Sequence, residues 1–255
     1  MTTILPILNP LSRGTAGSSY SVLLGPLSTT TTTTHTFQEP AGVADGDILF
    51  LPMAYRTTDT GPVALPAGWQ RLLYQAHNNV ATGPNAEPSM VLGWRRRLGV
   101  SELTATNTAP AIGMGRIIAY RGISSTVTSI VNGFARSTTT PAWDMTWNIG
   151  LGATGPYIAF CAIAGGQAGT WSGFRSENFP LSSGLTHDDT RIVLSDGWVE
   201  RCDNSDNSAA GGVSLAFFDK LNPATPMGLP SCVSSVVAKP VLCQINLPLS
   251  QAPNI

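Results

Sequence analysis

Ala41-Gly-Val-Ala-Asp-Gly-Asp-Ile-Leu-Phe-Leu-Pro-Met-Ala-Tyr55, followed by Pro66-Ala-Gly-Trp69, reads as a turn, a half-buried strand, a loop and a second turn carrying a tryptophan. The physics of each position supports that reading. Gly46 can take a positive φ, so the chain can turn sharply into the strand. Asp47 can accept hydrogen bonds from backbone amides of the same turn. Pro66 pre-sets the next turn and Gly68 relieves its strain. Trp69 can then fold over the end of a sheet, covering roughly 200 Å2 of apolar surface. Tyr120 offers a ring for the core and a hydroxyl for the rim.

The same alternation of short strand and turn continues along the chain. Strands are expected at 47–55, 70–75, 89–98, 102–106, 115–121, 127–134, 145–149, 157–164, 191–199, 213–219 and 234–247. No long window carries an apolar stripe of helical period. Evenly spaced strands separated by turn clusters point to an all-β fold, an antiparallel two-sheet β-sandwich. No internal repeat of fixed period is evident. Residues 1–27, with Pro6, Pro10 and Pro26 among apolar residues, read as an extended N-terminal arm that docks on a neighbour, or as a first strand of the domain's own sheet. We take the arm for the domain division, which leaves residues 28–255 as a single sandwich. The threonine run 29–34 is an exposed strand or its approach, and 170–190 a surface loop or small excursion.

Composition narrows the function. Charged residues make up 11% of the chain, against about 25% in an average protein. Thr, Ser, Gly, Asn and Pro replace them. A charge-poor surface promotes association, so the chain is expected to work against other protein and to form a homo-oligomer. The formal net charge of -1 argues against nucleic acid as a partner. No apolar stretch is long enough for a membrane helix, and no secretory leader is expected.

The segments Gly46-Asp47-Ile-Leu49, Pro66-Ala-Gly-Trp69 and Ile117-Ile-Ala-Tyr-Arg-Gly122, with the closing strand Val213-Ser-Leu-Ala-Phe217, resemble a class of bacteriophage virion structural proteins. The likeness covers about residues 40–220. It implies a jelly-roll-like or lectin-like sandwich on capsid surfaces, tails or fibres, with other virion proteins as partners and a trimer as the common arrangement. The implied localisation is the virion. A fibre of this length usually carries a repetitive or heptad shaft, and none is seen, which favours capsid decoration or a tail accessory role.

Candidate sites are few. Trp171 and Trp198, beside scattered acids such as Glu177, Asp144 and Glu200, are candidates for a host-glycan platform on a receptor-binding tip. The same acids would serve a polysaccharide hydrolase, the least favoured reading. Arg95 and Arg97, on one face of a strand, are candidates for a subunit interface. No GxSxG or HExxH pattern occurs. His35, His77 and His187 are scattered through polar segments, so no catalytic residue, cofactor or metal is expected, and the chain is read as not an enzyme. Asp203-Asn-Ser-Asp-Asn207 fails the EF-hand pattern and reads as an Asx-rich turn. Cys161 reads as a buried thiol. Cys202 could pair with Cys232 or Cys243.

Overall fold

The computed structural model describes residues 20–57, 63–75, 88–99, 102–107, 111–122, 131–136, 157–165, 171–175, 199–206, 213–221, 231–234 and 241–248. These residues are all-β, and no helix occurs among them. The first half of the chain supplies β1 (Ser21–Thr30), β2 (Thr34–Thr36), β3 (Ile48–Thr57), β4 (Gln70–Gln75), β5 (Ser89–Arg96), β6 (Thr104–Thr106) and β7 (Ala111–Arg121). The second half supplies β8 (Val131–Arg136), β9 (Tyr157–Gly165), β10 (Trp171–Arg175), β11 (Val199–Asp206), β12 (Val213–Leu221), β13 (Ser231–Ser234) and β14 (Val241–Pro248).

Two five-stranded antiparallel sheets result. The first runs β1-β7-β3-β5-β4, and the second runs β11-β12-β9-β14-β8. Two short ladders, β2-β6 and β10-β13, accompany them. The large sheets share an apolar layer. Ile48, Phe50, Met90, Leu92, Met114 and Ile118 of the first meet Cys202, Val213, Leu215 and Phe217 of the second. The rings of Phe50 and Phe217 lie 6.3 Å apart across it. Each such ring removed from water contributes on the order of 1.5–3 kcal/mol. The arrangement is sandwich-like. Each large sheet is drawn from one half of the chain, so these pairings do not establish the jelly-roll path, which passes strands between sheets.

Strand β3 is buried on both faces rather than one, because the first sheet is covered twice. Ile48, Phe50 and Ala54 face the second sheet. Leu49, Leu51, Met53 and Tyr55 face an outer cluster closed by Phe37, Val63, Trp69 and Ala105. Strict alternation along a doubly covered strand gives an unbroken apolar run. Pro52 lacks an N–H, and the pairing of β3 with β7 is interrupted at Leu51 and Pro52.

The two turns read from sequence are present. The Asp47 amide donates to the Ala44 carbonyl at 3.1 Å, with Gly46 at φ 95°. The Trp69 amide donates to Pro66 at 3.2 Å, with Gly68 at φ 80°. Positive φ at the third turn position is why both are glycine.

Several expectations need correction. Ser21–Leu27 is not a free arm but part of β1, hydrogen-bonded to β7 as an edge strand of the domain's own sheet. Residues 1–19 lie outside the described residues. Asp203–Asp206 is not an Asx-rich turn but strand, paired with β12 from Asp203↔Ala216 to Asp206↔Val213. Trp171–Arg175, expected in a loop, forms β10. The expected strand at 234–247 is two, β13 and β14, and the one at 145–149 lies outside the described residues.

Candidate functional site

A dense polar cluster lies between the sheets, where β11 and β12 face the ends of β1 and β7. Asp219, on β12, is fully buried. Its Oδ2 accepts from the Tyr120 hydroxyl at 2.5 Å and from Arg201 Nε at 2.5 Å. Its Oδ1 accepts from Arg201 Nη2 at 2.9 Å and from the Tyr20 hydroxyl at 3.2 Å. Arg201 is 8% exposed. Strand β11 delivers it through a bulge between Glu200 and Cys202, which leaves Arg201 out of the ladder and aimed at the carboxylate. Arg116 of β7 donates to the Arg201 carbonyl at 3.4 Å and to Gly25 of β1 at 2.5 Å.

The carboxylate receives four donors, filling its acceptor positions. Burial raises the phenol pKa of Tyr20 and of Tyr120, and the Asp219 charge raises both further, so both stay protonated donors. Burial works against the Arg201 charge, but its hydrogen bonds and attraction to Asp219 more than offset this and raise its pKa. All four of these donors are spent on the one enclosed carboxylate. It clamps the two sheets together. The Tyr120 hydroxyl therefore sits in the core, not at the rim.

A second lock joins two of the sequence signatures. Asp47 Oδ2 accepts from the Ala44 amide at 2.8 Å and from Arg121 Nη2 at 2.8 Å, while Oδ1 accepts from Arg121 Nε at 2.9 Å. The Gly-Asp turn and the Tyr-Arg-Gly strand end thus form one bidentate pair, the strong geometry for arginine and carboxylate. Trp69 Nε1 donates to the Glu102 carbonyl at 3.1 Å.

The outer layer holds a buried His35, whose Nε2 lies 3.0 Å from Ser28 Oγ and whose Nδ1 lies 2.7 Å from the Tyr55 hydroxyl. Ser28 spends its proton on the Thr36 carbonyl. Nε2 must therefore carry the ring proton, and Nδ1 accepts from Tyr55. Burial lowers the His35 pKa to about 4, keeping the ring neutral. On β11, burial and then the Asp203 charge raise the Glu200 pKa to about 7.

The sequence-nominated residues are dispersed. Arg97 pairs with Glu39 at 3.0 Å and with Asp45 at 2.6 Å. The Arg95 guanidinium lies 6.0 Å from the centre of the Trp69 ring. Trp171 opens β10 opposite Ser234. Trp198, Glu177, Asp144, His77 and His187 lie outside the described residues. Cys202 is a free, buried thiol rather than half of a disulfide, and burial pushes its pKa up to about 12. Among the described residues no group of three or more His, Cys, Asp or Glu could hold a metal ion. Among them, too, no helix is long and apolar enough to cross a membrane.

The clamp itself was missed from sequence. Arg201 and Asp219 belong to neighbouring strands, and only a charge inside the apolar run Val213-Ser-Leu-Ala-Phe-Phe-Asp219 could have hinted at it. The chain matches no protein-family model, no curated protein and no solved structure.

Proposed function

We propose that this protein is a non-enzymatic structural component of a bacteriophage virion, a capsid decoration or tail accessory protein that works through protein–protein contacts as a homo-oligomer. One observation carries the reading. The residues of the virion-like signature are spent on architecture. Asp47 and Arg121 lock each other, Tyr120 is held by Asp219, and Trp69 is anchored to Glu102. Their side chains serve the fold. The charge-poor composition supports the same conclusion, since such a surface is best kept soluble by being covered. The proposal needs the sandwich-like packing; the jelly-roll path belongs to the resemblance and is not required by it.

Immunogold labelling of phage particles from a lysate carrying this chain tests the reading. Label at a fixed position on heads or tails is expected, together with a purified chain larger than a monomer in sedimentation. A monomeric protein confined to the particle-free fraction, or one that turns over a host polysaccharide, defeats it. Binding on a glycan array, lost in Trp171→Ala or Trp198→Ala, would instead identify a receptor-binding tip.

A further inference from the structure

The two halves of the chain are wired alike. In the first sheet the five long strands in chain order are β1, β3, β4, β5 and β7. Their spatial order is first, fifth, second, fourth, third. In the second sheet the five long strands are β8, β9, β11, β12 and β14. Read from β8, their spatial order is again first, fifth, second, fourth, third. Each half also contributes one short two-stranded ladder.

The likeness extends to register. In each half a Gly-Trp pair, Gly68-Trp69 or Gly197-Trp198, directly precedes the third strand. The residue after Trp pairs with the fourth strand, as Gln70↔Trp94 and as Val199↔Asp219. One further pair follows, and then one residue is left out of each ladder, Leu72 or Arg201. Pairing resumes at Leu73↔Leu92 and at Cys202↔Phe217. With Trp94 matched to Asp219, Met90 falls on Leu215 and Leu92 on Phe217, and all four of these apolar residues line the layer between the sheets. Ile48 lies opposite Arg96 and Tyr120, and Ile158 lies opposite the corresponding Leu221 and Leu247. A shared strand order could arise by chance. A shared bulge at the same rung, after the same dipeptide, on the same edge strand is a far more specific coincidence, because bulges are designed features of a fold.

We infer that the chain is a tandem pair of one structural unit, and that the inner sheet face of each unit is a docking surface whose partner is another unit of the same wiring. All strand pairing is internal to a half among the described residues. What joins the halves there is side-chain contact, the apolar layer and the Asp219 clamp. The clamp is the point of divergence. Where the first unit places Leu72 and Trp94 against the layer, the second places Arg201 and Asp219, and the first unit's Tyr20 and Tyr120 satisfy that charge. Two similar faces have thereby become complementary, which favours pairing between unlike halves over like ones.

The test uses the full chain with a site-specific protease sequence inserted between Gly122 and Val131. After cutting, the two fragments are expected to elute as one particle and to keep the β circular dichroism spectrum. In Asp219→Asn their dissociation constant should rise on the order of tenfold or more. Separation of the cut wild-type fragments at micromolar concentration overturns the docking surface, and loss of the β spectrum overturns the unit. A crystal structure of the uncut chain gives a second readout. The five strands of one half should overlay those of the other with Leu72 on Arg201. Any other residue at that position overturns the match.

Discussion

Replacing Asp219 by Asn keeps the side chain's size and removes its charge. The loss is larger than one ion pair. Asn has one carbonyl oxygen for four incoming donors, and its NH2 group would point at a donor of Arg201 or a tyrosine. Arg201 would remain buried with no counter-charge. Breaking a buried pair in this way costs about 3–5 kcal/mol. For a domain of this size each kcal/mol lowers Tm by about 2–4 °C, so the midpoint should fall by about 6–20 °C. Urea unfolding followed by tryptophan fluorescence measures the free energy, and calorimetry measures Tm. The loss should change little with added salt, because a buried pair is weakly screened. Replacing both partners, Asp219→Leu with Arg201→Leu, should cost less than the sum of the two single changes, since no orphan charge remains. A loss below about 1 kcal/mol for Asp219→Asn, or strict additivity in the double variant, would refute the clamp.

His35 should make the fold acid-sensitive. Its pKa drops from 6.5 unfolded to about 4 folded, so between these values the unfolded chain binds more protons. Stability is then full above pH 6.5 and falls by up to about 3 kcal/mol as pH drops to 4, and His35→Gln should flatten that slope in pH-dependent melts. Glu200 has the opposite sign. Its folded pKa is raised from 4.5 to about 7, so its ionisation opposes folding as pH rises through that window. Glu200→Gln should stabilise the fold at pH 8, by something on the order of 1 kcal/mol given its partial exposure, and the gain should vanish at pH 5. Deleting residues 1–27 should lower stability by at least about 3 kcal/mol, because it removes Tyr20 from Asp219 and the edge-strand residues Val22 and Leu23 from the sheet. An unchanged melt would show that the start of β1 adds nothing to the sheet.

Local chemistry was legible in the sequence and distant pairing was not. Gly46-Asp47 and Pro66-Ala-Gly-Trp69 specify turns with their own residues, so both were read correctly, and β4 has the bounds its sequence implied. Strand β7 begins at Ala111, four residues before the expected 115–121, and so runs through Gly113 as well as Gly115. A Cβ at Gly113 would overlap the Tyr55 ring, and one at Gly115 would press on Phe37 and Met53. These glycines make room for the aromatic outer layer. Strand β11 was missed because Asp203-Asn-Ser-Asp206 has poor strand propensity, and its pairing with β12 overrides that preference. The two similarly wired halves show no fixed period in sequence because their connections differ. The chain from β3 to β4 is short, whereas the corresponding segment between β9 and β11 is long and holds β10.

The division of the sheets by chain half has a consequence during synthesis. Every strand of the first sheet has been made once Arg121 is added. Translation proceeds at about 5–20 residues per second, so several seconds pass before β14 is complete. Throughout that interval Ile48, Phe50, Met90 and Leu92 have no covering sheet. A first half that folds at this stage presents a bare apolar face until the second sheet is made.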